Sequence, residues 1–341
     1  MGSVTAKTIV EAEAGMRLDR WFRAHFPDLG HGALQKMLRT GQVRVDGGRA
    51  KADTRVEPGQ TIRIPPMPGK EPGGAARGDS PYARPRASGI RETDDAAGFL
   101  RSITLYEDSD VFVFNKPHGL AVQGGSGLSR HIDGMLPALA SKRGDIPRLV
   151  HRLDRDTSGT LVVARTRKAA AEISAAFRAR ATKKIYWALV RGVPRLKQGR
   201  LSTYLVKEKD ADGNDRMRVT KPGGGADHAL TYYAVVETAA QKLAWVSLRP
   251  VTGRTHQLRV HMAELDHPII GDPKYFNVEN WDLPGGIQNR LHLHARRIAL
   301  PLPSGKMLDV SAPLPQHMQQ SWNLLGFDAK QYDPIEESPE K

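Results

Sequence analysis

His151-Arg152-Leu153-Asp154-Arg155-Asp156-Thr157-Ser158-Gly159 runs into the apolar tetrad Leu161-Val162-Val163-Ala164, joining a charged turn to a short β-rich run near the middle of the chain. Such a run directly after Ser158-Gly159 predicts a buried strand, which places the charged residues on a loop at the edge of a sheet. Two acids, Asp154 and Asp156, alternate there with Arg152 and Arg155. Positive neighbours favour the ionised form of a carboxylate, and an ionised acid on a loop can serve as nucleophile or base. Charge alternation by itself fits a solvated turn with surface ion pairs better, since exposed pairs are common and worth little. A chemical role for the loop therefore needs support from the rest of the chain.

The 341 residues suffice for one large domain and a small one, with a net charge of +14 and no cysteine. That charge implies a polyanionic partner, either nucleic acid or an acidic membrane. The absence of cysteine excludes disulfides, thiolate metal sites and a cysteine nucleophile. No apolar run approaches the roughly 18 residues of a spanning helix, and the N-terminus lacks a signal-peptide core, so a cytoplasmic protein with no membrane partner is expected.

Residues 1–64 carry eleven Lys and Arg against seven Asp and Glu. Leu18, Trp21 and Phe22, then Leu34, Met37 and Leu38, fall at helical i, i+3, i+4 spacing, with Arg17, Lys36 and Arg39 among the cations on the other faces. Gly41 suits a helix C-cap, Val43 and Val45 alternate as a strand flanking Arg44, Asp46-Gly47-Gly48 makes a turn, and Ile62 and Ile64 alternate again. Residues 65–98 are rich in Pro and Gly and lack apolar periodicity, which predicts a flexible linker. A larger domain is expected over 99–328, with a tail over 329–341.

Within that domain Val111–Phe114 reads as a strand leading into the Lys116-Pro117 turn. Gly124-Gly125-Ser126-Gly127 lacks the Gly-Lys-Ser/Thr of a nucleotide loop and reads as a flexible connection. Thr166 suits the N-cap of a helix striped by Ala169, Ile173, Ala176 and Phe177. Ile185–Val190 alternates as a strand with Tyr186 facing away from Ile185 and Trp187, as a core aromatic or as a ring presented to the charged loop. The strands around Tyr232 and Trp245 run into Arg249–His261, where Thr255 suits an N-cap and Leu258, Met262 and Leu265 form a helical stripe. Arg254 then sits at a strand-to-helix corner, where a guanidinium can pair with a carboxylate. His256 and His261, five residues apart on a helix, do not share a face, and without cysteine or an HExxH pattern a metal site is not expected.

Four segments occur in order: KPxGLxV at 116–122, the nine residues 151–159, KIYWALVRG at 184–192 and GRTHQLRVH at 253–261. Together they resemble the RluA family of RNA pseudouridine synthases. The resemblance implies that Asp154 is catalytic, that Arg254 pairs with it, and that Tyr186 lies in the active site, stacking on the uracil and assisting removal of the proton at carbon 5. It also implies that Arg152 steadies the space left by a flipped-out base, that Leu258 walls off water and that Lys116 lies near the RNA. No cofactor is implied. Residues 34–47 resemble the S4 RNA-binding domain, although Gly32-Ala33 stands where the commonest form has Ser-Arg. Arg17, Lys36, Arg39 and Arg44 are the RNA contacts expected of that module.

The expected architecture is α+β, with a mixed, largely antiparallel sheet in the catalytic domain and a small S4-like domain before it. The expected reaction is conversion of uridine to pseudouridine in structured RNA, 23S rRNA first, by a monomer with no DNA partner. A D-type rRNA synthase or a tRNA-directed relative is the nearest alternative. A non-catalytic ribosome-binding protein is the alternative of a different class, while a helix-turn-helix DNA regulator leaves the later motifs unused.

Overall fold

A computed structural model describes residues 4–26, 29, 31–65, 90–124, 130–209, 215–276 and 284–338, which divide into two compact units, Met1–Gly89 and Ile90–Lys341.

The first unit orders β1 (Thr5–Thr8), β2 (Met16–Arg17), α1 (Leu18–His25), α2 (His31–Arg39), β3 (Arg44–Val45), β4 (Gly48–Arg49), β5 (Arg55–Val56) and β6 (Thr61–Ile64). The sheet β1-β6-β3-β4 is accompanied by the pair β2-β5. Leu18, Trp21, Phe22, Leu34 and Leu38 pack on Ile62 and Ile64, as their spacing predicts. Gly41 (φ +69) follows the end of α2, and the β3–β4 turn places both Asp46 (φ 49) and Gly47 (φ 76) in the left-handed region that a tight hairpin requires.

The second unit starts with α3 (Ile90–Ser102). It is therefore ordered from residue 90 rather than 99; the rest of the predicted linker, 66–89, lies outside the described residues, as do residues 125–127 of the glycine-rich connection. The chain continues through β7 (Thr104–Glu107), β8 (Val111–Lys116), α4 (Ile132–Met135), β9 (Arg148–Leu149), β10 (Ser158–Ala164), α5 (Arg167–Arg178), β11 (Lys183–Arg191), β12 (Gln198–Lys209) and β13 (Asp215–Thr220). It closes with β14 (Asp227–Ala239), β15 (Leu243–Pro250), α6 (Gln257–Glu264), β16 (Leu293–Pro301), β17 (Met307–Ser311) and α7 (Gln316–Leu325).

These strands form one sheet in the order β13-β12-β14-β15-β11-β16-β10-β8-β7, with β17 beside β16 and β9 beside β10. Every named pairing is antiparallel except β10–β16. This is the mixed, largely antiparallel sheet that was expected. Strand β10, between β16 and β8, is buried along its whole length. Thr166 caps α5, its Oγ1 accepting from the Ala169 amide at 3.1 Å.

Residues 329–338 of the predicted tail pack as a strap, and 339–341 lie outside the described residues. Asp333 accepts from Trp187 Nε1 at 2.8 Å and Ser247 Oγ at 2.7 Å, and Glu336 pairs with Lys183 at 2.5 Å and Arg297 at 2.6 Å. The strap's polar side chains find their partners on strands far away in sequence, which no local periodicity reveals.

Candidate active site

β8 ends at Lys116, and the turn that follows is tied to the Asp154 loop. Lys116 is fully buried; its Nζ donates to the carbonyls of Pro117 at 3.0 Å, Leu120 at 2.8 Å and Arg155 at 2.8 Å. The Gly119 amide donates to the same Arg155 carbonyl at 3.0 Å. Three acceptors use all three ammonium hydrogens, while burial lowers the pKa of the group to about 7. Lys116 is thus an internal brace of the loop and not the RNA contact that the resemblance implied, because an ammonium enclosed by three converging carbonyls has no exposed surface to offer.

The far end of the loop is fixed by close approach. Gly159 (φ +109) pairs with Ala295 of β16, and a Cβ on it would stand 2.2 Å from the Ala295 carbonyl oxygen. Ser158 Oγ lies 2.9 Å from His294 Nδ1, whose Nε2 faces the Ala312 carbonyl. Nε2 must therefore carry the imidazole proton, and the serine donates. Between these anchors Leu153 is buried against Phe112, Leu161 and the flank of Tyr186, so Arg152 and Asp154 on either side of it line the cavity.

That cavity, about 690 Å³, is also lined by Tyr186, Lys184, Arg254, His256, Leu258 and Arg259, and its volume lies in the usual range of ligand pockets. Ile185 pairs with Arg297 and Tyr186 with Ala295, so a bulge at Arg296 of β16 shifts the register at the tyrosine. Burial, and then the Asp154 charge, push its phenol well above the ordinary value, so it is neutral. Arg152 reaches Gln123 Oε1 at 3.5 Å from an exposed position.

The counter-ion of Asp154 differs from the expectation. Arg254 lines the cavity but pairs with Asp227 at 3.3 Å and donates to the His228 carbonyl at 3.2 Å. The guanidinium beside Asp154 is Arg259, whose Nη1 lies 3.6 Å from Asp154 Oδ2. Arg259 is 4 % exposed and binds the fully buried Asp272 through two bonds of 2.7 Å. The corner geometry explains the exchange. His256, not Thr255, precedes the helix, in the left-handed conformation (φ 52). Gln257 then fastens the turn: its Oε1 accepts from Thr252 Oγ1 and the Arg254 amide, and its Nε2 donates to the Leu230 carbonyl and Thr231 Oγ1. With the turn held in this way, Arg254 is directed to β14 and the first turns of α6 carry Arg259 to the loop. Leu258 is buried at the cavity wall.

A second donor approaches the carboxylate. His256 Nε2 lies 3.9 Å from Asp154 Oδ2, and its Nδ1 lies 2.9 Å from Tyr275 Oη. The phenol oxygen already accepts from the Met217 amide at 2.9 Å, so its own hydrogen goes to Nδ1 and leaves the imidazole proton on Nε2, facing Asp154. Burial keeps the ring neutral despite that charge. Arg259, His256, Asp272 and Tyr275 were not foreseen from sequence. The one usable signal was an arginine inside a helix with apolar neighbours, which must have an acid partner.

In the N-terminal unit Lys36 and Arg39 are exposed on α2. Arg17 lies on β2 rather than on a helix face and is engaged by Asp19 at 3.1 and 2.7 Å. Arg44 donates to the carbonyls of Gly41 and Gly47, bracing the hairpin. Among the described residues no group of three or more His, Asp or Glu is placed to hold a metal, and no helix is long and apolar enough to cross a membrane.

Comparison with known proteins identifies the family. The family profile described as RNA pseudouridylate synthase matches residues 110–264, a span that contains Asp154, Tyr186 and Arg259. The chain is 36 % identical to RNA pseudouridine synthase 4, mitochondrial, of Arabidopsis thaliana, over 90 % of its own length and 78 % of that protein's. It is 35 % identical to ribosomal large subunit pseudouridine synthase C of Vibrio cholerae, over 92 % and 94 % of the two chains. The solved structure of human RNA Pseudouridylate Synthase Domain Containing 4 superposes with a TM-score of 0.58 at 31 % identity, covering 69 % of this chain and 97 % of that one. With relatives this similar along nine-tenths of its length, the chain belongs to the RluA-type family of RNA pseudouridine synthases, enzymes that isomerise uridine within RNA.

Proposed function

We propose that this pseudouridine synthase acts on 23S rRNA and that Asp154 is its catalytic residue. The observation that carries the assignment is the position of Asp154 in a cavity of nucleotide size, 3.6 Å from a buried arginine and beside a neutral tyrosine. The substrate reading rests on the relative named ribosomal large subunit pseudouridine synthase C, aligned over nearly the whole of both chains. The N-terminal unit serves as an S4-like RNA-binding module, with Lys36 and Arg39 as its free phosphate contacts.

Isomerisation breaks the bond from N1 to C1′, joins C5 to C1′, removes the proton from C5 and places one on N1. The base must first leave the stack, at a cost of a few kcal/mol. Arg152, on the exposed side of the loop, steadies the vacated position. Asp154 acts on the everted nucleotide as nucleophile or base. Arg259 and the Nε2–H of His256 orient it, and Leu258 excludes water. Tyr186 offers the uracil a ring face and, being a neutral phenol, a hydrogen-bond donor.

Asp154→Asn preserves shape and removes the charge. Tritium release from rRNA labelled at uracil carbon 5 is then lost, whereas near-normal release rejects the assignment. Comparison of pseudouridines in rRNA and tRNA from cells with and without the protein tests the substrate: loss confined to tRNA overturns the rRNA reading.

A further inference from the structure

The cavity holds more positive charge than its chemistry accounts for. Arg259 has Asp272 and Asp154, and Arg254 has Asp227. Lys184, two residues before Tyr186 on β11, lines the same cavity. No carboxylate and no hydrogen-bond acceptor among the described residues partners its ammonium group. Its surroundings are dry enough to lower its pKa to about 8, which leaves it charged at neutral pH. A Cβ built on Gly253 would meet nothing within 4 Å except Lys184 Nζ itself, at 4.0 Å. The space beside the ammonium is therefore open on the side of the Arg249–Gly253 turn.

A half-buried cation with no counter-ion is costly unless its partner arrives with the substrate. Uracil is neutral and cannot be that partner. The only anions an everted uridine brings into the cavity are the phosphodiesters on either side of it. Lysine suits the task, being a compact point charge with three rotatable donors. We propose that Lys184 is a phosphate-binding residue that holds a phosphodiester adjoining the target uridine, and so seats the nucleotide against Asp154 and Tyr186. The assignment rests on the reading of this cavity as the uridine site. Its role is in substrate binding, distinct from the chemical step.

The test uses the full-length protein and an RNA stem-loop spanning a uridine whose modification depends on the protein. Lys184→Gln weakens binding of this RNA by about tenfold, the size of one charge-assisted contact, and lowers the slope of log K against log salt by about 0.7–0.9. Lys184→Arg keeps the charge and recovers most of the affinity. A neutral methylphosphonate on one side of the target uridine, compared with the same 2′-deoxy RNA carrying a normal phosphate, weakens the unaltered protein by a similar factor and leaves Lys184→Gln unaffected. If methylphosphonates on both sides weaken Lys184→Gln as much as the unaltered protein, or if the salt slope does not change, the proposal is overturned. Thermal melting of Lys184→Gln shows whether a loss of binding reflects misfolding, in which case the salt slope and phosphonate coupling of Lys184→Met, neutral and close in shape to lysine, decide. Failure of the uridine-site reading looks different: the unaltered protein binds the RNA but releases no tritium from it.

Discussion

Replacing Arg259 by lysine keeps a positive charge and removes the planar fork that bridges two acids. Both bonds to Asp272 are 2.7 Å and buried. A single ammonium cannot reproduce them and also approach Asp154, so at least one charge-assisted bond is lost, worth roughly 1.5–3 kcal/mol of stability. The attraction between Arg259 and Asp154 at 3.6 Å is at most about 5 kcal/mol at an effective dielectric near 20, and solvent at the partly exposed Asp154 reduces it. If about 2–4 kcal/mol of orienting interaction disappears, the chemical step slows by about 30- to 1,000-fold. Single-turnover tritium release at saturating enzyme measures that step, and urea unfolding measures the stability loss separately. Arg254 is the control. Its ion pair is exposed, 39 % at the arginine and 60 % at Asp227, and is worth less than about 1 kcal/mol. Arg254→Gln should therefore raise KM with kcat largely kept. An Arg259→Lys enzyme that turns over within twofold of the original, beside an Arg254→Gln enzyme that is inactive, would refute this account of the site.

Two further outcomes follow from buried groups. Gly159→Ala places a methyl group 2.2 Å from the Ala295 oxygen at φ +109; strain and overpacking together cost roughly 2–6 kcal/mol, read as a fall in urea midpoint, and a shift below 1 kcal/mol contradicts the close approach. His261, His292, His294 and His317 are buried, and burial lowers their pKa values to about 4, 4, 3 and 4. The unfolded chain takes up these protons near pH 6.5 and the folded one does not. The stability they contribute is therefore complete above pH 6.5 and falls toward pH 4, by up to about 2 kcal/mol per histidine at pH 5. A melting temperature that stays constant between pH 7 and pH 4.5 would count against this.

Amphipathic spacing was enough to place Leu18, Trp21 and Phe22 in a core and to cap α5 with Thr166, because those features are local. The loop of Asp154 and the strand after it were legible for the same reason. The site's electrostatics were not. Arg254 and Arg259 stand five residues apart in one motif, and the left-handed His256 with the four bonds of Gln257 decides which of them turns toward Asp154. Lys116 has the residue type of an RNA contact, and only the convergence of three carbonyls from two segments makes it internal. Asp272 and Tyr275 come from a stretch with no periodicity, and the strap at Asp333 and Glu336 was hidden because its partners lie on distant strands.

Among the named strands of the described residues, the one parallel pairing joins Ser158 and Gly159 to His294 and Ala295. The loop that bears Asp154 thus depends on a segment made more than a hundred residues later in translation. A nascent chain can complete β7, β8 and β10 early, yet the loop's last anchor is absent until β16 has left the ribosomal exit tunnel. Pairings of such long sequence separation also form late in folding. The geometry of the Asp154 loop is thus tied to a pairing of long sequence separation and not to its own local sequence.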